Sequence, residues 1–261
     1  MTRLLTALVL LPAVLAVVWL LPPVATLVLA LIAAQLAMLE YSRIAAALGA
    51  RVHWITSAFV LAACAALGSG QVAAEDVLLA ALVVIGTIVV LTGAPSPSSL
   101  AHPAAALFAV AYIGLPLGAI AAVRTVAGRE AVLLLMLTIV VSDSAQYYTG
   151  RAFGRAPLAP AISPKKTREG AIGGLVLGSA AMIAGGRFLF PQAPIAALVI
   201  AALLVVALGM IGDLFESLLK RSAGVKDSSA LIPGHGGILD RIDSWLFAGP
   251  AYYLFVRYFH L

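Results

Sequence analysis

Long apolar runs broken by short polar ones set the pattern of this chain. From Leu4 to Leu39 no residue carries a charge, and Pro22-Pro23 interrupts the run near its middle. A helix needs about 20 residues to cross a bilayer, so the run predicts two spans joined by a tight turn. Glu40 to Trp54, with Arg43 and Arg51, reads as the first polar loop. Ile55–Leu67 and Val77–Leu91 predict two further spans around the segment GSGQVAAED, and GAPSPSS at 93–99 has turn composition. Leu100–Val123 is a fifth span despite Pro103 and Pro116, which neighbouring helices support in lipid. After RTVAGRE, Ala131 to Tyr148 is the sixth, with Asp143 at its far end. A polar loop follows from Thr149 to Gly170. Ala171–Ala184, Ile195–Ile211 and Ile238–Val256 complete a count of about nine.

Composition agrees. Hydrophobic residues make up 63% of the 261 and charged residues only 10%, with mean hydropathy +1.10; ordinary globular domains carry about 25% charged residues. The expected architecture is an all-α, polytopic membrane helix bundle. The first apolar run is too long for a cleaved secretory signal and is read as retained spans. A single cysteine, Cys64, excludes a disulfide within the chain. If the N-terminus is cytoplasmic, Arg3, Arg43, Arg51, Arg151, Arg155, Lys165, Lys166, Arg168, Lys220, Arg221, Lys226 and Arg241 fall inside, and Arg124, Arg129, Arg187 and Arg257 outside. That asymmetry is the positive-inside signature. The net charge of +5 is therefore a topological and lipid-facing signal, and with no nucleic-acid motif present nucleic-acid binding is excluded. The chain divides into residues 1–130, a scaffold of about five spans, and residues 131–261, a catalytic region whose charged loops, 149–170 and 213–244, face the cytoplasm.

Those loops hold the chemistry. Between Ser217 and Ser244, Lys220, Arg221, Lys226 and Arg241 suit a polyanion, while Asp227, Asp240 and Asp243 are hard oxygen ligands of the kind Mg²⁺ takes beside a substrate phosphate. Pro233-Gly234-His235-Gly236-Gly237 lets the backbone turn sharply and approach a ligand. Asp240 and Asp243 share a helical face, and Asp213, Glu216, Ser217 and Lys220 form one polar stripe on an apolar helix. The alternative is a loop of simply solvated charges, which does not account for the ordered series. In the earlier cluster Asp143, Gln146, Tyr147 and Gly150 fall on one helical face. Lys165 and Lys166 suit phosphates, Thr167 offers a hydroxyl at a helix N-terminus, and Glu169 would orient a lysine or a metal-bound water.

The run S-x-x-K-R-x-x-x-x-K-D-x-S-x-x-I-P-x-H-G-G-x-x-D-R-x-D from Ser217 to Asp243 resembles the signature of the phosphatidate cytidylyltransferases, also called CDP-diacylglycerol synthases. D-x-x-x-Y-x-x-G-R-x-F-G from Asp143 and S-P-K-K-T-x-E-G-x-x-G-G from Ser163 extend the resemblance over residues 142–244. It implies that CTP and phosphatidic acid give CDP-diacylglycerol and pyrophosphate, that Mg²⁺ is required, and that the protein is a homodimer in the bilayer; a second, monovalent cation is left open. Asp213, Asp240 and Asp243 are the candidate metal ligands, with Asp143 or Asp227 in support. Lys220, Arg221, Lys226, Arg241, Lys165 and Lys166 would hold the phosphates, with Ser217, Gly236 and Gly237 lining the substrate. His235 either meets a phosphate, protonates the leaving pyrophosphate or shapes the glycine loop. Related enzymes using CTP on another lipid, a CDP-archaeol synthase or a polyprenol kinase, are alternatives, as is an ion-coupled transporter.

Overall fold

The computed structural model describes residues 2–96, 99–232, 234 and 236–259, with side chains from Leu8 onward. Its helices, in chain order, are α1 (Thr2–Leu20), α2 (Pro23–Ala47), α3 (Ile55–Ser69), α4 (Ala74–Thr92), α5 (Ala101–Ala109), α6 (Leu115–Phe153), α7 (Arg168–Leu189), α8 (Ile195–Ser222) and α9 (Leu239–Phe259). A π-helical turn, Val110–Gly114, joins α5 to α6. It ends just before Pro116, whose missing N–H deprives the Tyr112 carbonyl of its usual helical partner. Gly128, with φ of +85°, breaks α6 into two helical pieces, a conformation that an L side chain resists. With that break counted, and with α5, the π turn and the first piece of α6 taken as one continuous helix over 101–127, nine helical segments occur among the described residues, as the apolar runs predict.

Five helical stretches among the described residues are long and apolar enough to cross a membrane: Pro23–Ala47, Ala74–Thr92, Ala101–Phe153, Arg168–Leu189 and Ile195–Ser222. Large apolar side chains along them, such as Val90, Leu91 and Ile200, are exposed, which water would not tolerate over so many turns. The chain is an all-α integral membrane protein.

The chain forms two compact units. One comprises Met1–Thr125 with Leu219–Ile242, the other Val126–Leu218 with Asp243–Leu261. In the first, Ala34, Ala37, Val60, Ala63, Cys64 and Val110 are buried. A Cβ on Gly114 would come within 2.6 Å of the Val60 carbonyl, so glycine sets how closely the π turn meets α3. In the second, Leu135, Met182, Leu198, Val205, Leu246 and Tyr252 fill the core. There a Cβ on Gly174 would meet the Gln146 side chain and, at 2.9 Å, the Ser142 carbonyl, so α7 packs backbone to backbone with α6.

Three local expectations change. Glu40, placed at the head of a polar loop, is helical, because α2 continues through Ala47 and ends only where Gly49 takes φ of +84°. The loop at 149–170 is partly ordered: α6 runs on to Phe153, and Pro157–Ala159 (β1) pairs antiparallel with Ser163–Thr167 (β2). Finally the eighth span, expected to end at Ile211, continues as α8 to Ser222, and that helix carries the polar stripe Asp213, Glu216, Ser217 and Lys220 as their spacing predicts.

Candidate active site

In the first unit the signature segment is built around two buried carboxylates. Lys220, in the last turn of α8, forms an ion pair with Asp240 in the first turn of α9; both are 8% exposed. The other oxygen of Asp240 accepts from the backbone N–H of Ser228 at 2.9 Å, the Ser228 hydroxyl at 2.7 Å and the Gly237 N–H at 2.8 Å. Four donors on one carboxylate leave it little capacity for anything else.

The second carboxylate is Glu40, at 2% exposure. Its oxygens accept from the Ser229 hydroxyl at 2.6 Å, the Ser228 hydroxyl at 2.9 Å, the Ile238 N–H at 3.0 Å and the Leu239 N–H at 2.8 Å. Ile238 and Leu239 sit at the start of α9, where helical N–H groups have no partner within the helix, so a carboxylate there answers both a hydrogen-bonding need and the helix dipole. Sequence reasoning missed this residue. Its signal was present all the same: Glu40 is the first acidic side chain after a long uncharged run, and an ionisable group on an apolar span is by default a partner for something buried.

Between these anchors the glycine segment folds back on itself. The Ile232 N–H donates to the Gly236 carbonyl at 2.8 Å, and Gly236 has φ of +82°. A Cβ on Gly237 would collide with the Ser228 hydroxyl and both Glu40 oxygens, so no other residue fits under this loop. Arg221, Lys226, Asp227 and Arg241 are exposed around it, with Arg221 donating to the Val225 carbonyl at 3.1 Å. Pro233 and His235, the latter a candidate catalytic group, lie outside the described residues.

The second unit carries the other cluster. Lys166, on β2, pairs with Asp213 on α8, with side chains 22% and 29% exposed. Thr167 caps α7 by accepting from the Gly170 N–H at 3.1 Å. Glu169 bonds backbone rather than a lysine: it accepts from the N–H groups of Arg155 at 3.0 Å and Ala156 at 3.3 Å, tying the end of α6 to the first turn of α7. Lys165, Arg151 and Arg155 are exposed. Asp143 is exposed as well; it accepts from Gln146 at 3.1 Å and lines a recess of about 200 Å³ with Ser142, Thr138, Gly209 and Ser244. Asp243 is half-buried, and one of its oxygens accepts the Ser244 N–H at 2.7 Å. A Cβ on Gly212 would stand 2.5 Å from the Asp243 carbonyl, so within this unit α8 and α9 touch where Asp213 and Asp243 begin. Ser217 lies on the same helix as Asp213, half-buried.

The expected carboxylate trio therefore divides. Among the described residues no three His, Cys, Asp or Glu side chains gather as metal ligands. Asp240 is saturated by protein donors and does not suit a cation. Asp213 and Asp243, on helices in contact, keep hard oxygens that are not fully buried, and Mg²⁺ commonly binds one or two carboxylates and completes its shell with substrate phosphates and water. Those two residues fit it.

Comparison with known proteins places this geometry in context. The profile of the cytidylyltransferase family matches residues 1–259. The chain is 47% identical over 131 residues to phosphatidate cytidylyltransferase 5, chloroplastic, of Arabidopsis thaliana, a stretch covering 50% of this chain and 32% of that protein. It is 46% identical over 136 residues to the phosphatidate cytidylyltransferase of Haemophilus influenzae, covering 49% and 45%. An uncharacterized protein of Escherichia coli, YnbB, is 44% identical over 131 residues, covering 50% and 44%. The matched stretches thus span less than half the length of these relatives.

Proposed function

The chain belongs to the cytidylyltransferase family, and on that premise we propose that it transfers the CMP moiety of CTP to phosphatidic acid, giving CDP-diacylglycerol and pyrophosphate. One observation carries the reading: the segment 228–240 is tied down by the hydrogen bonds of Glu40 and Asp240, while Arg221, Lys226 and Arg241, which flank it in the chain, stay exposed. Donors and cations fixed before the ligand arrives are what phosphoryl-type transfer asks of a protein.

The lipid phosphate needs no strong base, because a phosphate monoester has its second ionisation near pH ~6. An oxygen of that phosphate attacks the α-phosphorus of CTP, the bond from that phosphorus to the bridging oxygen breaks, and pyrophosphate leaves with the electron pair. Exposed Lys226, Arg221 and Arg241 neutralise the phosphates. Lys220 and Asp240 act from below by holding the glycine segment in shape. Asp213 and Asp243 would hold Mg²⁺, which when bound supplies charge neutralisation for the departing pyrophosphate. The reading places the protein in the inner membrane of a bacterial-type cell with the site facing the cytoplasm, as the basic loops favour, and includes a homodimer by resemblance to the family.

Purified protein in detergent, given CTP, phosphatidic acid and Mg²⁺, is expected to release pyrophosphate and form CDP-diacylglycerol. Asp213→Asn and Asp243→Asn should lower turnover by orders of magnitude. Release of CDP with a phosphorylated lipid would instead identify a kinase. Flux across sealed vesicles without nucleotide turnover would identify a transporter.

A further inference from the structure

A further group of basic side chains gathers in the first unit. The loop between α2 and α3 carries Arg51 and His53, and the start of α5 carries His102. The Arg51 N–H donates to His102 Nδ1 at 3.2 Å, and the Ile55 N–H donates to His53 Nδ1 at 3.3 Å. A nitrogen that accepts such a bond cannot carry the ring proton, so in each neutral imidazole the proton sits on Nε2. Both rings thereby keep an N–H donor on the edge away from the backbone.

Arg51, His53 and His102 line one shallow recess, open to the surroundings, whose walls include Ile85, Ile88 and Val89. Among the described residues that line it, none is acidic. It lies where apolar helices end: the first residue of α3, the last two turns of α4 and the first two turns of α5. Trp54, 74% exposed, stands beside His53 with ring centroids 5.5 Å apart, as aromatic side chains do at a bilayer surface. Scattered topological cations would not come with two imidazoles pinned in one tautomer around a shared recess.

We propose that this recess binds an anionic phospholipid, its phosphate held by Arg51 and the two imidazole N–H groups and its acyl chain lying along Ile88 and Val89. Cations and N–H donors without a competing carboxylate select a phosphate. The apolar wall selects one attached to hydrocarbon, since a free phosphate would leave that wall unmatched. The site is independent of the proposed transfer reaction and is read by binding alone.

The test uses the full chain carrying Trp19→Phe and Trp245→Phe, so that Trp54 is the remaining indole of the three. Delipidated protein in neutral detergent is titrated with short-chain phosphatidylglycerol, with phosphatidylcholine and with inorganic phosphate, following Trp54 emission. Phosphatidylglycerol is chosen over phosphatidic acid to keep the readout apart from the proposed substrate. The expected result is a saturable change with phosphatidylglycerol, weakened about tenfold or more by Arg51→Gln and by His102→Ala at unchanged melting temperature. Arg51 is exposed on a loop, so Arg51→Gln decides the matter even if His102→Ala fails to fold. Equal binding of phosphatidylcholine, equal binding of inorganic phosphate, or an unshifted isotherm in Arg51→Gln would each overturn the proposal.

Discussion

The two charged clusters solve the same problem, keeping ionisable groups at the end of apolar helices, in opposite ways. In the first unit Glu40, Lys220 and Asp240 are each at most 8% exposed, and hydrogen bonds engage every carboxylate oxygen. In the second, Lys166 and Asp213 keep a fifth or more of their side chains exposed, and Glu169 is tied to loop backbone. A buried ion pair is costly to desolvate and very costly to break, whereas a half-exposed pair is worth little either way. The first cluster is accordingly a frame, and the second retains groups that can exchange a protein partner for a ligand. Identical residue types at similar spacings therefore sit in different environments, set by burial.

Breaking the frame should give the largest effect. Asp240→Ala removes the buried ion-pair partner of Lys220 and the acceptor of the Ser228 and Gly237 N–H groups, and is expected to destabilise the protein by about 3–5 kcal/mol, read as a lowered denaturation midpoint in detergent. A shift no larger than that of a surface substitution would remove the distinction between the clusters.

Glu40→Gln comes next. The amide keeps one acceptor oxygen and loses the other, at about 1–3 kcal/mol for each buried donor left without a partner. Hydrogen exchange should accelerate across residues 228–240 and stay unchanged in the hairpin 157–167. A uniform acceleration in both regions would mean that Glu40 supports the fold generally and does not serve this segment. Gly237→Ala tests the same frame by volume: its Cβ meets Ser228 and Glu40, and the expected loss is about 1–3 kcal/mol together with reduced nucleotide turnover.

The smallest stability effect belongs to the second cluster. Asp213→Asn should change stability by less than about 1 kcal/mol, yet lower pyrophosphate release by on the order of a hundredfold or more. Thermal melting and turnover measured on the same preparation separate the two quantities. Parallel loss of both would make the Lys166–Asp213 pair structural.

Much of this was legible in one dimension. The Pro22-Pro23 break and the glycine between the two pieces of α6 mark real ends of helices, because proline and glycine act on their own backbone whatever surrounds them. The motif from Ser217 to Asp243 selected the segment that the frame encloses. What escaped was the division of labour inside it. Asp240 and Asp243 stand three residues apart and look equivalent on a helical face, but one is buried among four donors and the other is half-buried. Ser163–Thr167 carries a proline and two lysines and reads as an irregular loop; its pairing with Pro157–Ala159 depends on cross-strand bonds that a local pattern does not encode.

Helix number, membrane residence and the positions of the charged segments follow from the linear chain, because the length of an apolar run against the thickness of a bilayer is a local comparison. The roles of the carboxylates belong to the folded state. Glu40 bonds Ser228 from 188 residues away, and burial, which decides whether a carboxylate is a strut or a ligand, is set by neighbours that only the tertiary structure brings into contact.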